Sequence, residues 1–325
     1  MSNTIGLSGE YNFVIKHEDG TQTETGWFRN MILDRGLRTI IEYSSSNLPN
    51  NGMLGACYVG DGTAQPAATQ LGIMGTLKGS AGVVNQSATV TYLGSPTYAR
   101  EALFQYIFPL GNVVGTIAEV VIALPGYATS AGFSRALITD GSGNPTTLTL
   151  SATDQLTVYY KLTIAPQLTD ITGSVVLDGI TYNFVGRASN VSNWLPSGVT
   201  SNALSATYGY LQSQTATTRS FLIGGPTSVI GSITGSPSNT VAGDATSCTL
   251  GAVTSTANGF YRDVTFTWVP GAGNVAGGIK TLRHGNGSND GNTQYCFFQY
   301  EFDTPIPKIN TQTLTLTFRF ALIRA

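Results

Sequence analysis

Leu156-Thr157-Val158-Tyr159-Tyr160-Lys161-Leu162 is the stretch from which the fold is read. Apolar side chains at 156, 158, 160 and 162 alternate with Thr157, Tyr159 and Lys161. That is the period of a β-strand with one face buried. The pattern returns near the end of the sequence as Leu314-Thr315-Leu316-Thr317-Phe318-Arg319-Phe320. Outward from this pair, nearly every apolar segment alternates or carries a β-branched run. Tyr11-Asn12-Phe13-Val14-Ile15-Lys16 leads through the turn Glu18-Asp19-Gly20-Thr21 into a strand over 23–28. Residues 83–93, 102–108, 117–124, 133–139 and 146–150 read likewise. Asp140-Gly141-Ser142-Gly143-Asn144-Pro145 is a turn between two of them. One short helix is predicted near residues 33–43, where Leu33, Leu37, Ile40 and Ile41 share a helical face. The fold class is all-β and sandwich-like.

The second half echoes the first. Tyr11-Asn12-Phe13-Val14 recurs as Tyr182-Asn183-Phe184-Val185, and Trp27 as Trp194. Arg100, Glu101 and Phe104 correspond to Arg262, Asp263 and Phe266. Gly111-Asn112-Val113-Val114-Gly115-Thr116-Ile117 corresponds to Gly273-Asn274-Val275-Ala276-Gly277-Gly278-Ile279. Phe133 and Ile138 correspond to Phe297 and Phe302, and the opening stretch to 314–320. The matches keep one order and their offsets drift as loop insertions would make them. Two tandem, internally duplicated β-domains are therefore expected, 1–166 and 167–325. Two such domains per chain in a trimer would present six similar units around an axis.

Composition narrows the function classes. Charged residues are 10% of the chain, against about 25% in ordinary domains. Glycine takes 39 of 325 positions, against about 7% on average. Ser and Thr on outer strand faces stay wettable while keeping β-propensity, so a surface of low charge is feasible. Such a surface suits a protein packed against copies or partners. A net charge of −2 and a pI of about 5.7 argue against a nucleic-acid binder, which needs a basic stripe. No secretory signal is visible at 1–6, and the most apolar run, 107–124, is broken by Pro109, Gly111, Asn112, Gly115 and Glu119. It reads as strands and a turn, with no membrane span expected. Cys57, Cys248 and Cys296 are expected as reduced thiols.

A search for chemistry is mostly negative. His17 and His284 sit in no metal-ligand spacing, and no GxSxG marks a nucleophile. Asp19, Asp61, Asp140, Asp178 and Asp290 read as turn residues; Asp154, Asp170 and Glu301 read as turn or edge residues. The loop 285–292 lacks the DxDxDG spacing and terminal Glu of a calcium loop. Gly60-Asp61-Gly62 opens no βαβ unit, so no phosphate cradle is expected. The Asn-x-Ser sequons at Asn85, Asn190 and Asn286 carry weight only in a secretory pathway. Trp27, Trp194 and Trp268 are expected in the core, with a sugar-binding surface as the alternative. No catalytic, cofactor or metal residue is assigned, and no enzyme activity is expected.

Several segments have a familiar look: Trp27-Phe28-Arg29-Asn30-Met31-Ile32-Leu33-Asp34-Arg35-Gly36-Leu37, Cys57-Tyr58-Val59-Gly60-Asp61-Gly62-Thr63-Ala64-Gln65-Pro66, Phe133-Ser134-Arg135-Ala136-Leu137-Ile138 and 155–162. Together they resemble virion structural proteins of tailed bacteriophages, of the tail, tail-fibre or adaptor type. The resemblance covers the first half directly and the second through the repeat. It implies a tail-associated collar, adaptor or fibre-anchoring protein, assembled in the bacterial cytoplasm and resident in the virion. Its implied partners are further copies of itself and other virion proteins. Alternatives are a module binding host-surface polysaccharide and a capsid decoration protein.

Overall fold

The computed structural model of the chain describes residues 1–42, 52–92, 98–189, 221–286 and 295–325. The first half contributes β1 (Ser2–Lys16), β2 (Gln22–Glu24), β3 (Phe28–Arg29), β4 (Met31–Ile32) and helix α1 (Asp34–Glu42). It continues with β5 (Ala56–Gly60), β6 (Leu77–Tyr92), β7 (Tyr98–Ile107), β8 (Gly115–Ile117) and β9 (Glu119–Ala123). β10 (Gly132–Leu137), β11 (Leu148–Leu150) and β12 (Gln155–Pro166) close it. The second half holds β13 (Ile171–Leu177), β14 (Ile180–Ala188), β15 (Phe221–Gly224), β16 (Thr240–Ala242) and β17 (Ser247–Thr256). β18 (Gly259–Trp268), β19 (Ile279–Asn286), β20 (Tyr295–Ile306) and β21 (Leu314–Arg324) follow. The chain is nearly all β, with a single helix among the described residues.

In the first half β1, β12, β7 and the C-terminal part of β6 form one layer. The N-terminal part of β6 leaves it, past a register shift between Val83 and Asn85, to pair β5 in a second layer with β9, β10 and β4. A strand that bends between layers is how a sheet turns a sandwich corner. The layers meet through Tyr160 against Phe133, at 6.5 Å between ring centroids, and Tyr11 Oη 2.7 Å from Ser134 Oγ. The alternation quoted for 156–162 is realised: Leu156, Val158, Tyr160 and Leu162 are buried, while Thr157, Tyr159 and Lys161 are half-buried on the other face.

The second half also has two layers, but no strand runs between them. β17, β18 and β21 form one layer, and β13-β14-β20-β19-β15-β16 the other. Phe221 on β15 packs on Phe266 and Trp268 of β18 at 4.9 and 4.8 Å, and Tyr300 on β20 meets Phe318 of β21 at 5.3 Å. The hairpins β9–β10 and β19–β20 are both antiparallel, with Val121 facing Arg135 and Arg283 facing Gln299. β7–β12 and β18–β21 are also both antiparallel, with a two-residue difference in register that preserves the faces. The tetrapeptides Tyr11–Val14 and Tyr182–Val185 are not placed alike. The first pairs β12 and the second lies between β13 and β20, so their likeness is one of local alternation.

Pro166 ends β12, yet sheet and core run across it. Residues 2–7 of β1 pair in parallel with 319–324 of β21, which makes one 13-stranded sheet. One apolar cluster contains residues of both halves. Helix α1 lies over this junction. Leu37, Ile40 and Ile41 are buried, Arg262 Nη1 donates to Ile41 O, and Arg324 Nε donates to Ile32 O at 2.6 Å. Gly36, unexpected inside a helix on propensity, is explained by close approach to β10. A Cβ there would stand 2.5 Å from Phe133 O. Gly36→Ala is therefore expected to cost about 1–3 kcal/mol through overpacking, read as a lowered urea midpoint at unchanged slope.

Candidate functional site

The Glu119 carboxylate is fully buried in the first half, which the apolar run around it did not announce. Glu119 opens β9 opposite Leu137, so Arg135 of β10 is its diagonal neighbour on the same face. Both side chains are fully buried, and Arg135 Nε donates to Glu119 Oε2 at 2.8 Å. Glu119 Oε1 accepts the backbone N–H groups of Gly62, Met74 and Gly75 at 3.0, 3.1 and 2.7 Å. Arg135 Nη1 reaches Gln70 Oε1 at 2.9 Å. Gly60-Asp61-Gly62 thus belongs to an anion-binding concavity of backbone amides, but the anion is the protein's own carboxylate. The arrangement closes the 61–76 loop over the outer face of β5 and β9. A Cβ at Gly62 would lie 2.3 Å from Glu119 Oε1, which accounts for that glycine.

The histidines are also tied into the fold. His17 Nδ1 is 2.8 Å from Asp154 Oδ1, and Nε2 is 2.9 Å from Thr23 Oγ1. A hydroxyl–imidazole–carboxylate order is the geometry of a nucleophilic triad. Here it joins the β1–β2 hairpin to the turn before β12, with Thr23 exposed on the outer surface. The N–H of Ser151 donates to Asp154 Oδ2 at 2.7 Å. That bond, and then His17, hold the Asp154 carboxyl below the usual carboxylate range. His284 is buried among Phe221, Phe266, Phe318 and Phe320, and burial lowers its pKa to about 3.

The carboxylates read as turn residues hold turns. Asp19 accepts Thr21 N–H, Asp61 accepts Thr76 N–H, and Asp140 accepts the N–H groups of Ser142 and Asn144. Asp178 has φ +49° and Gly179 φ +78° in the two-residue turn between β13 and β14, the positive-φ pair that such hairpins favour. Cys57 is a buried free thiol, and Cys248 is half-buried. Asn190, Trp194, Asp290 and residues 287–292 lie outside the described residues, as do the side chains of Asn286 and Cys296.

Trp268 is fully buried and its indole N–H donates to Gly243 O at 2.8 Å. Trp27 departs from the core expectation, being 44% exposed. It sits between β2 and β3, after Gly26 at φ +74° breaks the alternation. The Lys161 ammonium lies 4.7 Å from its ring centroid. Trp27→Ala is expected to change unfolding free energy by only about 0.5–1 kcal/mol, the worth of an exposed cation–π contact, in a chemical denaturation series.

Besides loops, the described residues present sheet edge and sheet face to the outside. The layer β17–β18–β21 shows outward hydroxyls, with Thr265 Oγ1 2.9 Å from Thr317 Oγ1. β13 ends the six-stranded sheet and pairs only β14 among the described residues. Beside it, the outer faces of β13, β14 and β20 form a groove of about 860 Å³. Its wall carries Asp170, in a bidentate pair with Arg187. Asn183 Nδ2 donates to Asp303 Oδ2 at 2.8 Å, and Glu301 accepts the N–H of Ile230. The groove is shallow, mixes polar groups with Val185 and Ile230, and is braced by its own pairs.

No group of three or more His, Cys, Asp or Glu placed to hold a metal occurs among the described residues. No helix among them is long and apolar enough to cross a membrane. Comparison with protein-family models, with curated proteins and with solved structures returns no match.

Proposed function

We propose that this chain is a structural component of a tailed bacteriophage virion, associated with the tail as a collar, adaptor or fibre-anchoring protein. It works by self-assembly and by docking to other virion proteins, and it turns over no substrate. The observation that carries this reading is an all-β chain of low charge that leaves a long, uncharged sheet edge, β13, open among the described residues. Exposed edges are templates for another chain's strand, and soluble proteins ordinarily guard them with charge. The ionisable groups with the most notable geometry support it from the other side. Glu119, Arg135, His17 and His284 are engaged within the fold.

The test is copy number in purified particles of the phage that encodes the chain, by quantitative mass spectrometry. A few to a few dozen copies per particle is the expected outcome. Hundreds of copies would point to a capsid decoration protein, and absence from the particle would overturn the reading.

The groove beside β13 favours a second reading, a module that binds host-surface polysaccharide. Paired carboxylate, amide and guanidinium groups in a shallow concavity suit sugar hydroxyls. Saturable binding of the isolated chain on a glycan array, abolished by Asn183→Ala, would favour it over the assembly role.

A further inference from the structure

From the geometry of its edge we infer that β13 pairs antiparallel with β13 of a second copy of this chain, about a two-fold axis through Ser174. The inference rests on the assembly reading and adds the contact by which copies join.

β13 is an uninterrupted seven-residue edge; residues 85–92 of β6, paired only with β7, form another among the described residues. β17 is longer, but a register shift between Leu250 and Val253 breaks its ladder, and Arg262 Nε occupies the Gly251 carbonyl at the break. β16 and β4 have three and two residues. β13 reads Ile171-Thr172-Gly173-Ser174-Val175-Val176-Leu177, without charge, proline or bulge, and pairs β14 at every position. Bulges, prolines and charges are the devices by which edges are protected. β13 has none of them.

The occupant follows from self-complementarity. Ile171, Val175 and Leu177 lean on the core, while Thr172, Ser174 and Val176 face outward. A two-fold through Ser174 sets Ile171 opposite Leu177 of the second copy, Thr172 opposite Val176, and Gly173 opposite Val175. Every pair joins like faces, so the inner apolar row and the outer row continue across the axis. Val176, 65% exposed in the single chain, gains a β-branched partner, the kind of cross-strand pair that stabilises a sheet. Gly173 is filled on the inner side by its own Phe184 ring, 2.8 Å from where a Cβ would stand, and so leaves room for Val175 across the axis. The flanking Asp170 would face Asp178 of the second copy, and the Arg187 guanidinium already paired with Asp170 neutralises that approach. An isologous contact of this kind makes the copy number of the assembly even, hexamers included.

Sedimentation of the full chain over a concentration range tests this, with Ser174→Lys placing two ammonium groups on the axis. The natural chain is expected as an even-numbered species, and S174K as a species of half that mass with unchanged circular dichroism. A second variant keeps the test sharp if S174K fails to fold. Ser174→Cys is expected to cross-link between copies with a short bis-maleimide much faster than Thr172→Cys, whose symmetry mates lie four residues apart along the strand. A natural chain that is monomeric throughout, an oligomer that S174K leaves intact, or equal cross-linking at 172 and 174 would overturn the pairing. A monomer that is nevertheless counted in particles would remove this contact and leave the virion role standing.

Discussion

Glu119→Ala is expected to destabilise the chain by about 3–5 kcal/mol, the usual effect of removing one member of a buried ion pair. Such a loss is a large share of the roughly 5–15 kcal/mol that holds a typical domain folded. The variant leaves the Arg135 guanidinium buried without its anion. It also strands the amides of Gly62, Met74 and Gly75, which now donate to Oε1. Arg135→Met removes the other partner but leaves the carboxylate its three backbone donors. It is expected to cost less than Glu119→Ala, because a buried anion with several N–H donors remains partly solvated by the protein. Urea unfolding of both variants checks the order. An Arg135→Met loss equal to or larger than that of Glu119→Ala would contradict this account of the 61–76 loop.

The second large effect is a loss of stability on mild acidification, carried by His284. Its ring lies 4.7 Å from Phe221 and 4.9 Å from Phe266, and burial depresses its pKa from 6.5 to about 3. The folded chain holds the neutral ring, whereas the unfolded chain takes up a proton below pH 6.5. Stability is therefore full above pH 6.5 and falls as the pH drops from there towards 3, by up to about 1.4 kcal/mol per unit. At pH 4.5 the loss is roughly 2–3 kcal/mol. Asp154 and Asp263, whose carboxyls are held low by hydrogen bonds to Ser151 and Arg319, contribute only as the pH falls further. The leg between pH 6.5 and 4.5 thus isolates the histidine. His284→Phe, which continues the aromatic cluster, is expected to flatten that leg; an unchanged slope in the variant would contradict the assignment.

Much of the fold was legible because it is local. Alternation at 156–162 marked a strand with one buried face, and the apolar positions 33, 37, 40 and 41 marked α1. Pairing between distant segments left no such trace. The parallel contact of β1 with β21 joins residues more than 300 positions apart, and nothing in either strand's period announces a neighbour on that side. The bend of β6 between layers is likewise a property of what lies on each side of it. Trp27 was misplaced in the core because an aromatic beside strand-like residues reads as buried, whereas Gly26 at positive φ takes the chain out of the strand there.

The chemistry was less legible. Glu119 registered only as an interruption in an apolar run, and Arg135 only as part of a strand. The missed signal was two opposite charges, each inside a strand of otherwise apolar residues, on strands close enough in sequence to form a hairpin. Such residues are almost never fully buried unless paired. His17 and His284 carried no spacing signal because their partners, Asp154 and the phenylalanines of β15, β18 and β21, come from elsewhere in the sequence. The open edge at β13 was equally hidden, since a sequence shows that a strand lacks charge but not that it lacks a neighbour.

The central claim is that this chain mates with protein neighbours through its sheets. An image reconstruction of the intact particle, at a resolution that traces strands, examines it most directly. The expected map shows copies in a ring at the tail or collar, with β13 continued by a strand from another chain. A particle without the chain, or copies whose sheet edges and faces all meet only solvent, would contradict it.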